Sequence, residues 1–454
     1  MAKRELILDV ALLPTGWARD VAVDIEGGTI TGIAAQASPE GRERIAGIAI
    51  PGLPNLHSHT FQRGMAGLAE IRGPRGDSFW TWRQAMYRFL GRLTPDDVEA
   101  IASYALMEML EGGFTAVAEF HYLHHDTDGR PYADLAELSS RIVAAEAQTG
   151  IGLTLLPVLH VQGGFGGLPP SEAQRRFVNP VETYLRLLDG ASRAVRSRDD
   201  ATIGIAPHSL RAVPPEALGE ILQATRDGPI HLHIAEQTKE VEDCVVWSGQ
   251  RPVAWLMDHA PVGDRWCLIH ATHLDDDETA RLAASGAVAG LCPITEANLG
   301  DGIFRGVEFR AAGGRFGVGS DSNIEVSAPG ELKQLEYSQR LKHQARNVLA
   351  LSEGESTGQA LYAGALGSAA QALGRRIGSL AVGYRADLVV LDARHPDLAA
   401  ASGEHWLDSY IFVAGKTAID QVIVGGRTVV ERGRHRKRDS IEETYIQAMT
   451  RILA

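Results

Sequence analysis

Cysteine is scarce in this sequence. The 454 residues hold 3 cysteines, namely Cys244, Cys267 and Cys292, and no two of them form a CxxC pair. That excludes a disulfide framework and a cysteine-rich zinc module, so buried, reduced thiols are expected. An excess of positive charge is missing too: 44 Lys and Arg stand against 57 Asp and Glu, for a formal net charge of −13. No nucleic-acid partner is therefore expected, and an anionic ligand would have to meet locally placed arginines. No stretch approaches the ~18 apolar residues of a membrane span. The opening "MAKRELILDVALLPTG" lacks the sustained apolar run of a signal peptide. A cytoplasmic protein with no membrane partner is expected.

Several catalytic signatures are also absent. The "GKT" at 415–417 has Tyr410 where a phosphate-binding loop needs glycine, and "GGFGG" does not complete GxGxxG. There is no HExxH and no G-x-S-x-G elbow for a serine nucleophile. The H-x-E with P-C-x-x-C pattern of the small zinc deaminases is missing as well.

What is present is a division of texture. Both ends are strand-rich: "ELILDVALL" and "VAVDIEGGTITGIA" near the start, with Gly27 and Gly28 as a hairpin turn, then "ADLVVLDA" and "QVIVGGRTVVERG" near the end. We expect one small composite β-sandwich domain made from residues 1–50 and 376–454, the latter closing with a helix. The middle, 51–375, alternates short apolar runs with helical patterns. The runs are "LPNLHSH", "TAVAEFHY", "LTLLPVLH", "TIGIAPHS", "IHLHIAE", "WCLIHATH", "GAVAGLCP" and "RFGVGSDSN". They count out an α/β fold of the (β/α)8, TIM-like barrel type. Between the first two runs, Thr94 and Asp97 mark a helix start, and Val98, Ile101, Ala102, Ala105, Leu106 and Met109 recur at helical spacing.

All but the seventh run carry a His, Glu or Asp at their C-terminal end, and a barrel of this type builds its active site at those strand ends. His57 and His59 are one residue apart after the first run, so in extended chain both imidazoles point to one side and can share a metal. His231 and His233 repeat the arrangement in the fifth run, where His233 lies nearer the strand end and His231 is open between packing and support. Glu236 follows three residues on, placed to approach a metal-activated water without ligating. His270 ends the sixth run, ahead of His273 in the turn, and Asp321 ends the eighth after Gly317 and Gly319.

"HSH" after strand one with His233, His270 and Asp321 resembles the amidohydrolase superfamily. The resemblance covers essentially the whole chain and implies one divalent metal ion per subunit, Zn2+ by expectation, held by His57, His59, His233 and Asp321. The carboxylated lysine of binuclear members has no counterpart, since "APHSLRA" offers His208 in its place. More narrowly, "LHSHTFQRGMAGLAE", "WRQAMYRF", "EFHYLHH", "HIAEQ" and "TEANLGDGIF" are similar to the formimidoylglutamate deiminases of histidine degradation. That likeness implies hydrolysis of N-formimino-L-glutamate to N-formyl-L-glutamate and ammonia, with hydroxide attacking the formimino carbon. Glu236 would carry the proton, and His270 and Asp321 would assist. Arg83, in the long loop after strand one, and Arg211 would hold the two carboxylates, with Gln62, Tyr122 and His208 lining the pocket. A guanine- or cytosine-deaminase-like aminohydrolase on the same scaffold is the alternative. A homodimer is expected.

Overall fold

The computed structural model describes residues 3–73, 76–403 and 405–454. Four strands open the chain: β1 (Arg4–Leu13), β2 (Gly16–Glu26), β3 (Thr29–Ala34) and β4 (Glu43–Pro51). Gly27 and Gly28 turn β2 into β3 with φ of 58° and 81°, a conformation that side-chain-bearing residues resist.

Eight parallel strands of the barrel follow, in sequence order: β5 (Leu53–Ser58), β6 (Phe114–His121), β7 (Gly152–Leu159), a broken fourth strand, β10 (Ile230–Ile234), β11 (Trp266–His270), β12 (Val288–Leu291) and β13 (Arg315–Val318). The fourth strand is split into β8 (Ala201–Ile203) and β9 (Ala206–Pro207), both paired with β7. Between them Ile205 turns to pair with Ile230. Parallel bridges Ile205–Ile230, Ser209–His233 and Ser58–Asp321 join the two half-sheets on both sides. The barrel strands are buried at almost every position, as expected of parallel sheet covered on both faces.

The chain then returns to the first sheet with β14 (Leu388–Leu391), β15 (Ile419–Val424), β16 (Arg427–Glu431) and β17 (Arg434–His435). One eight-stranded sheet results, ordered β17-β16-β15-β14-β4-β1-β2-β3. Period-two alternation sorts its residues between two cores. In β14, Leu388 and Val390 join a small core with Leu6, Leu8, Val21, Val23 and Ile423, while Val389 and Leu391 join the barrel's core.

Two helices after β5 bear on the site. The segment carrying Arg83 is helical rather than loop: α1 (Phe79–Leu90) starts at Ser78, whose hydroxyl accepts from Trp80 N while Ser78 N donates to Thr81 Oγ1. A Ser–Thr cap lacks the acidic third residue of the usual signature, which is why the sequence pattern concealed it. In α2 (Pro95–Glu111) the Thr94–Asp97 capping box is present, and Val98, Ile101, Ala102, Ala105, Leu106 and Met109 are all buried. The terminal helix Arg438–Leu453 lies on α2, with the Tyr104 and Tyr445 rings stacked at 4.0 Å.

Candidate active site

The carboxyl ends of the barrel strands surround a cavity. At its floor His57, His59, His233 and Asp321 present donor atoms that all lie within 4.8 Å of one another. His57 Nε2 is 3.0 Å from His233 Nε2 and 3.2 Å from His59 Nε2, and Asp321 Oδ1 is 3.2 and 3.3 Å from the same nitrogens of His57 and His59.

The protonation of these rings decides what fits there. His59 Nδ1 donates to the Phe120 carbonyl at 2.8 Å, and His233 Nδ1 donates to the His208 carbonyl at 3.1 Å. A carbonyl can only accept, so each neutral ring turns an unprotonated Nε2 inward. Burial holds all three histidines below the usual range, His57 and His233 well below it, so they are neutral and ready to ligate. Two lone pairs and a carboxylate aimed at one point, with one imidazole to share among them, repel unless a cation sits between. Three nitrogens and one oxygen suit a divalent ion of the Zn2+ class.

Beneath the cluster a buried polar network fixes β5 against β13. Asn55 Oδ1 accepts from Ser320 N and His57 N, and Asn323 Nδ2 donates to the carbonyls of His59 and Asp321 and to Ser58 Oγ. The strands come this close because Gly319 has no Cβ; one there would lie 2.7 Å from His57 N. Strain gathers at the same rim. Ala235, His270, Ala271, Asp321 and Asn323 all have φ between 43° and 72°, a conformation costing of order 1–3 kcal/mol for a residue other than glycine.

Glu236 and His270 stand beside the cluster, with His270 Nε2 3.7 Å from Glu236 Oε1. Burial pushes the Glu236 carboxyl up to about 7, against the pull of His270 and Arg211. Burial opposes charge on His270, but Glu236, Glu296 and Asp321 outweigh it and carry the imidazole up to about 10. Glu296, which the sequence reading passed over, lies 3.4 Å from His270 Nδ1 and also accepts from Cys292 N.

Every other predicted site residue lines the same cavity. Gln62 Nε2 donates to the Tyr122 hydroxyl at 2.9 Å, and His208 borders His233 and His160 with ring centroids 5.0 Å away. Arg83 lies over the Trp80 ring at 4.6 Å and the Tyr87 ring at 5.6 Å. Among the described residues, neither Arg83 nor Arg211 has a carboxylate within 4 Å, and Arg211 Nε is buried without a partner. Phe79, Trp82, Met86, Tyr87, His160, Gln174 and Phe177 complete the wall. The α1 members were readable only once that segment was known to be helical, since Arg83 and Tyr87 are one turn apart. His231 turns elsewhere, to the Ala372 carbonyl, and His273 bonds the Asp301 carbonyl.

Comparison with known proteins agrees with this geometry. Residues 48–429 match the model of the amidohydrolase family. The chain belongs to the amidohydrolase family. Within it, residues 9–47 match the N-terminal domain of formimidoylglutamate deiminase HutF. A formimidoylglutamate deiminase of Pseudomonas aeruginosa is 53% identical over 98% of both chains. An 8-oxoguanine deaminase of the same organism is 29% identical, over 84% of this chain and 81% of that one. The crystal structure of an amidohydrolase from Brucella melitensis is 51% identical and superposes with a TM-score of 0.95, covering 99% of this chain and 100% of the other.

Proposed function

We propose that this amidohydrolase deiminates N-formimino-L-glutamate, releasing N-formyl-L-glutamate and ammonia as a step of histidine degradation. The observation that carries the reading is the pair of arginines without acid partners, Arg83 and Arg211, facing the same cavity as the four-donor cluster. Two guanidinium groups in one partly buried pocket repel each other and call for two carboxylates, which a glutamate moiety supplies. The 53% identity to a protein named for this reaction supports the same substrate.

His57, His59, His233 and Asp321 would hold the ion, for which the N3O donor set favours Zn2+. A divalent ion there supplies Lewis acidity and a water acidic enough to attack at neutral pH. Arg83 and Arg211 clamp the carboxylates and so fix the formimino carbon over that water, with Gln62, Tyr122 and His208 orienting the amidine. Glu236, with its pKa near 7, takes the water's first proton and passes it to the imino nitrogen; the second, from the hydroxyl of the addition product, follows by way of Asp321 and Glu236, and the nitrogen leaves as ammonia. His270 donates to the oxygen that gains charge, and Asp321 can take a proton while it ligates. Each turnover consumes one water and exchanges C=NH for C=O.

The test is ammonia release from N-formimino-L-glutamate by the metal-loaded protein, with guanine and cytosine alongside. Turnover of the formimino compound alone, at kcat/KM of about 10^4 per molar per second or above, is expected. Turnover of a ring substrate instead would assign the aromatic wall to stacking and overturn the clamp. A homodimer is supported by an exposed apolar face in which Leu341 and Val413 flank the stacked Tyr337–Phe412 pair, and the mass in solution tests it. Among the described residues no helix is long and apolar enough to cross a membrane.

A further inference from the structure

Cys292 has no part in the chemistry above, yet it is buried at the rim of the cavity floor, in the turn that leaves β12 and begins the helix Pro293–Leu299. Its thiol, an imidazole nitrogen of His270 and a carboxylate oxygen of Asp321 lie within 4.8 Å of one another. We propose that His270, Cys292 and Asp321 form a second, inhibitory site for a thiophilic divalent cation, Zn2+ or Cd2+, sharing only Asp321 with the His57–His59–His233 cluster.

Three observations support it. The donor set differs in kind from the first: thiolate, imidazole and carboxylate together suit Zn2+ and Cd2+ and disfavour Mg2+ or Ca2+. The electrostatic surroundings favour a cation, because the carboxyl groups of Glu236 and Glu296 flank His270 at 3.7 and 3.4 Å. Access is available too, since His270 and Asp321 both line the cavity that admits substrate.

Binding there is a simple exchange. The incoming ion forms bonds to sulfur and nitrogen, and the thiol and imidazole protons leave to solvent. The enzyme would be inhibited because His270 gives up a proton to ligate and Asp321 is shared between two cations. Cys244 and Cys267 are buried as well, but neither shares a cluster with two further ligands among the described residues.

The experiment starts from holoenzyme carrying one metal equivalent and titrates it with Cd2+, following bound metal, the ultraviolet thiolate-to-cadmium charge-transfer band and activity. A second equivalent should bind, and the band should grow in step with inhibition. Cys292→Ala should keep basal activity, lose the band, and require more Cd2+ for inhibition by roughly 100-fold, the upper end of what even supporting residues contribute to metal affinity. Cys244→Ala and Cys267→Ala should behave as wild type, so the spectrum still assigns the sulfur if Cys292→Ala does not fold. Binding of a single equivalent, a second equivalent without the band, or unchanged inhibition of Cys292→Ala would each overturn the proposal. Metal uptake and the band need no turnover, so the result is independent of the substrate assigned above.

Discussion

The floor and the wall of the cavity are built on opposite principles. At the floor, every candidate ligand stands on or just past a barrel strand, the His59 and His233 rings held by carbonyls and the backbone of His57, His59 and Asp321 by the Asn55–Ser320–Asn323 network. At the wall, Arg83 rides on a helix inserted between β5 and β6, resting on aromatic rings, and Arg211 keeps an unpartnered Nε. The floor's four donors, for their part, converge on one point and suit a cation. Among the described residues the wall's two arginines have no carboxylate within 4 Å. On the reading proposed above, chemistry would belong to the floor and selection among substrates to the wall.

That contrast can be broken at several points. The largest effect is expected from Glu236→Gln, which should retain metal and substrate binding while kcat falls about 10^3- to 10^4-fold, the upper range for loss of a general acid–base group; steady-state rates with metal analysis check it. Arg211→Met should instead leave the floor intact and lower kcat/KM by roughly 10- to 150-fold, equivalent to a charged hydrogen bond of about 1.5–3 kcal/mol. The loss should appear in KM and vanish for a substrate already missing one carboxylate. Asn323→Ala attacks the floor from beneath, and about 10- to 100-fold weaker metal affinity is expected, measured by competition with a chelator.

The pH profile sharpens the comparison further. Glu236 must be ionised to accept the proton, and its pKa is raised to about 7. The activity it supports is therefore present above that value and lost as pH falls through it, about tenfold per unit well below the pKa. Glu236→Gln should erase this acid limb. The smallest effect belongs to Thr94→Ala, which removes a cap remote from the cavity: about 1 kcal/mol less stability in denaturant unfolding, with kinetics unchanged.

The floor was legible in the sequence because period two in a strand is a strict geometric rule, so His57 and His59 announce a shared target. His270 and Asp321 stand at the ends of apolar runs, and His233 lies nearer the end of its strand than His231. The wall was harder to read. Family likeness points to Arg83 and Arg211, while the helix carrying Arg83 leaves little trace in the sequence because Ser78 and Thr81 cap it without a carboxylate. Tyr87, Gln174 and Phe177 belong to the pocket through tertiary approach of distant segments, which no local pattern encodes. Glu296 was invisible for the same reason, as its partner His270 comes from a neighbouring strand. The split in the fourth strand follows from Ile205 changing partner to Ile230, again a non-local pairing.

The sheet shared by the two ends of the chain has a consequence for biosynthesis. During synthesis β4 can pair with β1 at once, but its other edge, lined by Ile48 and Ile50, must wait for β14 until the whole barrel has been made. Through that interval a long apolar edge is open to any other strand in the cell. A nascent chain halted before Leu388 should be an aggregation-prone client for chaperones, and completing the last strands is the event that closes the edge.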